Sequence, residues 1–95
     1  MPEMRFNIRW PDGSCENCYS PSLVIKEFFA PGQTYPLADF LARSRTALNI
    51  ASDRVKVRYG FACSRAMAQL AQIETRASSF AGTDDPSVTV DSFEE

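Results

Sequence analysis

Apolar and polar residues alternate strictly near the beginning of the chain. Met4, Phe6, Ile8 and Trp10 fall on one side of an extended segment, and this alternation is typical of a half-buried strand. Residues 11–14 follow, and their Asp-Gly dipeptide favours a tight hairpin. The pattern therefore predicts that the first strand folds straight back into a second.

Two registers are open to this hairpin. A two-residue loop sets Glu16 opposite Arg9 and places Cys18 on the polar, solvent-exposed face of the sheet. A three-residue loop would set Glu16 against Ile8 on the apolar face, where a carboxylate has no evident partner. We therefore expect the first register.

Three helices follow in the pattern. Ser20 and Pro21 are suited to the start of a short helix that runs to about Phe29. An apolar stripe over residues 37–59 then predicts a long helix with Pro36 near its first turn. Residues 54–59 also alternate and would suit a strand, but the longer phase relation favours the helix.

The long helix is expected to end at Gly60, a residue type common just after helices. Ser64 can cap a third helix whose apolar positions recur up to Gly82. The segment 34–36 is taken as the entry to the long helix, and residues 87–93 alternate as a last strand.

The element order β-β-α-α-α-β indicates an α+β fold. A two-stranded hairpin is marginal alone, so we expect the last strand to join it in a three-stranded, mainly antiparallel sheet. The helices would pack on one face of that sheet. With 95 residues, the chain is predicted to form a single domain over residues 1–95.

Charge and hydropathy exclude several classes of protein. The net charge of −2 argues against nucleic acid as a partner, because such surfaces are rich in Lys and Arg. No apolar run approaches the length needed to cross a bilayer, and residues 1–3 do not begin a signal peptide. We therefore expect a cytoplasmic protein without a membrane partner.

The chemistry available to the chain is limited by the absence of histidine. Histidine is the commonest general base and a frequent zinc ligand. Cys15 and Cys18 have the spacing of a metal or redox pair, but in a regular strand they would point to opposite faces. We therefore expect no metal, no cofactor and no acid–base catalytic set.

Cys18 is a candidate for a reactive thiol. In the expected register Cys18 lies on the solvent face near Arg5 and Arg9, whose positive charge would favour the thiolate. Cys18 with these two arginines is thus a candidate for a reactive site. The simpler interpretation is that a small residue suits this end of the strand.

The long helix supplies the candidates for partner binding. Ile50 and Val57 fall together on the face away from the apolar stripe, so they are expected to be covered by another part of the chain or by another molecule. Arg43, Arg54 and Arg58 flank the stripe. They suit either a solvated rim or the docking of an acidic partner or phosphate.

Four short strings in the chain are similar to those of a known family. They are Arg9-Trp10-Pro11-Asp12-Gly13, Cys18-Tyr19-Ser20-Pro21-Ser22, Ala42-Arg43-Ser44-Arg45 and Tyr59-Gly60-Phe61-Ala62-Cys63-Ser64. In this combination and order the chain resembles the small bacterial nitrogen-starvation-response family of mycobacterial type. Cys15 departs from the pattern, which usually has an acidic or polar residue there.

The resemblance implies a physiological setting and no catalytic residues. That setting is a gene cluster built around a nitrilase and a radical-SAM protein, linked to nitrogen limitation and nitrile or cyanide assimilation. We therefore expect a non-enzymatic accessory protein that binds another product of the cluster, with a homo-oligomer as another arrangement. The alternatives are a redox sensor or enzyme using Cys18 and a small-metabolite-binding module with a pocket between sheet and helices.

Overall fold

A computed structural model describes residues 3–95 of the chain. Residues 1–2, on which the expectation about a signal peptide partly rests, lie outside the described residues. The elements, in chain order, are β1 (Met4–Arg9), β2 (Cys15–Ser20), α1 (Ile25–Phe28), β3 (Gln33–Pro36), α2 (Leu37–Tyr59), α3 (Ser64–Ser78) and β4 (Ser87–Glu94).

The sheet has four antiparallel strands in the order β2-β1-β4-β3. The α+β class and the pairing of the last strand with the hairpin are confirmed, but the expectation of three strands was wrong. The additional strand is β3, in which Thr34 lies opposite Thr89 and Tyr35 opposite Val88. Its final residue, Pro36, is tolerated because β3 lies at the edge of the sheet.

The register expected for the hairpin was also wrong. Glu16 pairs with Ile8 and not with Arg9, because the loop has three residues and ends in Gly13 at φ 87°. The Gly13 N–H donates to the Trp10 carbonyl over 2.9 Å. Glu16 does have a partner on the apolar face, since the Trp10 indole Nε1 donates to Glu16 Oε1 over 3.0 Å.

The first helix is shorter than expected. It spans only Ile25–Phe28, because the serines that were expected to cap it form a turn instead. The Ser20 hydroxyl donates to the carbonyl of Ser22 over 2.8 Å, and the Ser22 hydroxyl accepts from the backbone N–H of Val24 over 3.3 Å.

The long helix is confirmed, and its last residues are helical and not extended. It ends at Tyr59, and Gly60 follows in the left-handed conformation at φ 86°, with its N–H donating to the carbonyl of Lys56 over 2.7 Å. The third helix is also confirmed, but Ser64 is its first residue and not its cap, Cys63 at the N-cap position makes no side-chain hydrogen bond, and the helix ends at Ser78 and not near Gly82.

One hydrophobic core lies between the sheet and the helices. The alternating side chains of β1 face it, and so do the buried valines of β4. Phe40 of α2 lies 5.8 Å from the Trp10 ring and 5.4 Å from the Phe29 ring, within the range in which aromatic pairs attract. These contacts hold the first part of α2 against the sheet.

Candidate functional site

The last two turns of α2 extend beyond the core. The buried residues of this 23-residue helix end at Ser52, about two turns before its last residue, Tyr59. From residue 53 to residue 62, every side chain except Val55 is exposed. The chain thus presents this end of the helix to solvent on most sides.

An apolar surface lies on this end of the helix. Ile50, Asp53, Arg54, Val57 and Arg58 line one shallow depression of about 570 Å³, which we call the α2 terminal patch. Val57 is 88% exposed, and Ile50 is half-buried. The prediction that Ile50 and Val57 share a face is therefore confirmed, and residues 3–95 leave Val57 almost uncovered.

Further apolar side chains lie just beyond the patch. Phe61 is 68% and Tyr59 52% exposed. Together with Val57 they are the large hydrophobic residues that the described part of the chain leaves exposed. All three lie within five positions of one another, and such clustering is more informative than single exposed apolar residues.

Charged side chains of both signs line the patch, namely Asp53, Arg54 and Arg58. Arg54 is held by the Ser22 hydroxyl at 2.9 Å and lies 3.7 Å from the Glu27 carboxylate. Neither Lys56 nor Arg58 lies within ion-pair distance of a carboxylate in residues 3–95. Of these two cations, Arg58 lines the patch, and Lys56 precedes Val57 in the helix.

Arg43 does not belong to this surface. Its guanidinium donates to Asp39 over 2.9 Å and to the carbonyl of Phe28 over 2.6 Å, and it lies 5.1 Å from the Tyr35 ring centroid. Grouping Arg43 with the other partner-binding candidates was wrong, because it ties α1 to the opposite end of α2. Its contacts are those of a residue that stabilises the fold.

The structure places Cys18 in the core. The expectation of an exposed thiol was wrong, since Cys18 is 0% exposed and its partner across the strands is Phe6. Burial, followed by the nearby Glu16 carboxylate, raises the pKa of the Cys18 thiol far above its ordinary value. The thiol is therefore held in its neutral, poorly nucleophilic form.

The two arginines expected beside Cys18 lie on the other face of the sheet. Arg5 donates to Asn17 Oδ1 over 2.9 Å, and Arg9 pairs with Asp91 at 3.4 Å. Because the register differs by one residue, the thiol and the guanidiniums are separated by the sheet. Burial and Glu16 raise the pKa of the Cys18 thiol more than the positive charge of Arg5 lowers it, so the expected reactive site is not formed.

Comparison with known proteins decides the family of the chain. A family model described as "nitrogen starvation-induced protein NitG" matches residues 5–93. The chain belongs to the NitG family. No curated protein and no solved structure matches it.

In this NitG-family chain, sequence reasoning missed a small cavity beside the end of β2. It is lined by Arg5, Tyr19, Arg65, Ala68, Gln69 and Gln72 and has a volume of about 290 Å³. Three of these residues recur on one face of α3, at positions 65, 69 and 72. That polar stripe was visible in the sequence, but its partners on the sheet were not.

A larger groove lies between α2, α3 and the loop before β4. It has a volume of about 600 Å³ and is lined by apolar side chains such as Leu41 and Phe80. The pocket expected for a metabolite was placed between the sheet and the helices, whereas this groove lies between two helices. None of the helices in the described chain combines the length and apolar character needed to cross a membrane.

Within residues 3–95 there is also no group of three His, Cys, Asp or Glu side chains placed to hold a metal ion. Cys15 is exposed, Cys18 is buried and Cys63 is half-buried, and none of the three is in a disulfide. The feature that stands out is therefore the α2 terminal patch.

Proposed function

We propose that this protein is a non-enzymatic accessory protein of a nitrilase-cluster pathway induced by nitrogen starvation. In this proposal it binds an acidic protein partner, another product of the cluster, through the α2 terminal patch. The family membership supports the physiological setting. The observation that carries the binding proposal is the exposure of Val57, at 88%, on the projecting end of α2.

An exposed valine in this position has a cost that a partner would remove. Burying its side chain contributes about 1.5–3 kcal/mol, and a cluster of apolar groups with a polar rim is the usual anatomy of a binding surface. Tyr59 points to the other side of the helix and lines a separate depression with Val55 and Cys63. The projection of α2 from the core gives a partner access to several sides of the helix.

The charge of the rim indicates the chemistry of the partner. Lys56 and Arg58 have no carboxylate of residues 3–95 within 4.0 Å. A partner with carboxylates around an apolar centre would pair with both. Such complementarity raises the association rate and selects among partners.

Binding measurements on purified proteins of the gene cluster test this proposal. Each is titrated against the wild-type protein at two salt concentrations. We expect one of them to bind, with an affinity that falls as salt rises because exposed ion pairs are screened. A panel in which no cluster protein binds would contradict the proposal.

A matched pair of variants locates the contact. We expect Lys56→Gln with Arg58→Gln to weaken binding about tenfold, since it removes two charge pairs at the rim. The control, Lys26→Gln with Arg45→Gln, makes the same change in net charge at residues that pair with Glu95 and Glu74. Equal weakening by both double variants would show that the contact lies elsewhere.

A further inference from the structure

The groove between α2, α3 and the loop before β4 combines apolar and charged side chains. Its apolar lining includes Leu41 of α2 and Phe80, which follows α3. The Arg45 guanidinium of α2 pairs with the Glu74 carboxylate of α3 at 2.9 Å, and the loop contributes Asp85. One positive and two negative side chains therefore line the groove.

The charged groups lie towards opposite ends of the groove along α2. The N–H of Leu37, at the start of the helix, donates to the carbonyl of Pro86 over 2.9 Å, and Asp85 precedes Pro86 in the loop. Arg45 is eight residues beyond Leu37 in the helix, which corresponds to about 12 Å. The groove therefore suits a ligand with an apolar body and one charged end.

Asp85 supplies the charge that such a ligand would meet. Its carboxylate forms no ion pair with a Lys or Arg of residues 3–95, whereas Glu74 is already paired with Arg45. A carboxylate that is not paired, beside an apolar surface, favours a cationic ligand and disfavours an anionic one. A protonated amino group meets this requirement.

The walls of the groove are held in place by contacts within the chain. The ion pair of Arg45 with Glu74 joins α2 to α3, and the hydrogen bond of Leu37 with Pro86 joins α2 to the loop. The ring of Pro86 also restricts the backbone of the loop. A groove formed in advance requires less ordering when a ligand binds.

We propose that this groove binds a small apolar amine. The protonated amino group pairs with Asp85, and the hydrocarbon part lies against Leu41 and Phe80. A volume of about 600 Å³ is within the range for small-molecule pockets and is larger than an inorganic cation would fill. The site lies at the opposite end of α2 from the α2 terminal patch and does not depend on the protein partner proposed for that patch.

Titration with hexylamine measures binding at this site directly. The backbone ¹H–¹⁵N signals of Leu41 and Ala77, which line the groove, are followed by NMR in the full-length protein at neutral pH, with Val57 as a reference outside the groove. We expect saturable shifts at Leu41 and Ala77 and not at Val57. Hexanoate, which has the opposite charge, is expected to bind at least about fivefold more weakly.

Two variants with the same change in net charge test the role of Asp85. Asp85→Asn removes the charge and keeps a residue type that tolerates the φ of 51° at this position. We expect it to weaken hexylamine binding about three- to fivefold, the effect of losing a solvent-exposed ion pair, and to leave the affinity for hexanol nearly unchanged. Asp84→Asn, at the neighbouring residue outside the groove, is expected to change neither affinity.

A second pair of variants tests where the hydrocarbon part lies. Ala38 lines the groove at an exposed position of α2, so Ala38→Trp should occupy the groove and weaken hexylamine binding at least about tenfold. Ala68→Trp, at an exposed position of α3 outside the groove, is the control and should bind normally. Thermal unfolding checks that all four variants remain folded.

Three results would overturn the proposal. One is the absence of any saturable shift at Leu41 and Ala77 by about 20 mM hexylamine, a concentration at which a millimolar site is filled. Another is a shift at Val57 as large as the shifts in the groove, which would show that the amine binds apolar surface in general. The third is equal affinity of Asp85→Asn and Asp84→Asn for hexylamine, which would show that the groove does not recognise the charge.

Discussion

The two ends of α2 have the same helical geometry but different surroundings. In its first part, Phe40, Ala47 and Leu48 are fully buried in the core. In its last two turns, Val57 and Tyr59 are exposed. The difference is clearest at Val57, which faces away from the sheet and is left 88% exposed by the described residues.

The two ends of α2 therefore contribute differently to folding and to binding. Side chains at the packed end stabilise the fold, whereas those at the projecting end contribute little to it and are free to bind a partner. The last turns are held by their backbone hydrogen bonds, by Gly60 and by the contact of Arg54 with the Ser22 hydroxyl. Substitutions at the two ends should therefore have opposite effects on folding and on binding.

The largest expected contrast is in thiol reactivity, between the packed core and the exposed surface. Cys18 is fully buried and Cys15 is exposed. Because Cys18 reacts only when the core opens, and domain stabilities are at least about 5 kcal/mol, we expect iodoacetamide to label it more than about 10³-fold more slowly than Cys15. Mass spectrometry of the labelled peptides measures both rates.

A Cys18 rate equal to that of Cys15 would contradict the packed core at this position. It would also support the alternative hypothesis of a redox sensor or enzyme using Cys18. The raised pKa of its thiol predicts the opposite, because the neutral thiol persists at physiological pH.

The second contrast compares two phenylalanines. Phe40→Ala should lower the free energy of unfolding by about 3–5 kcal/mol, because it leaves a cavity among the Trp10 and Phe29 rings. Phe61→Ala, at an exposed position beyond α2, should change it by less than about 0.5 kcal/mol. Chemical denaturation measures both, and equal losses would show that the projecting end is packed.

The third contrast concerns the residue at which α2 ends. Gly60 has φ 86°, so Gly60→Ala should cost about 1 kcal/mol from backbone strain alone. Gly82 has no such conformation, and nothing lies within 4 Å of an added Cβ at either position. Gly82→Ala should therefore change stability little, and an equal loss in both variants would refute the role of the left-handed cap.

These elements also show how far the sequence determines the structure. The bounds of α2 followed from a stripe that persists over 23 residues and from Gly60, because both are local properties of the chain. The hairpin register did not follow, since it depended on whether Glu16 could find a partner. Its partner is the Trp10 indole. This residue is six positions away in the sequence, and only the folded loop brings the two side chains together.

The candidate site was predictable to a similar extent. Ile50 and Val57 were found because a helical wheel separates them from the apolar stripe. Arg43 was misplaced because the wheel does not show that α1 packs beside it. The cavity at Tyr19 was missed because it joins β1, β2 and α3, and periodicity within one element gives no information about contacts between elements.

The smallest expected effect on stability is at Val57 itself. Val57→Ser should change the free energy of unfolding by less than about 0.5 kcal/mol, because the side chain makes few contacts at 88% exposure. Chemical denaturation of this variant beside the wild type measures the change. A loss of more than about 1 kcal/mol would place Val57 in the stabilising part of the helix and remove the contrast between its two ends.

The most direct test of the account is the effect of Val57→Asp on binding to the cluster partner. Ala71→Asp, at an exposed position on α3, is the control with the same change in charge. We predict that Val57→Asp weakens binding at least tenfold while both variants unfold at nearly the wild-type temperature, and that Ala71→Asp binds normally. Unchanged binding of Val57→Asp to that partner would contradict the claim that the projecting end of α2 is the docking surface.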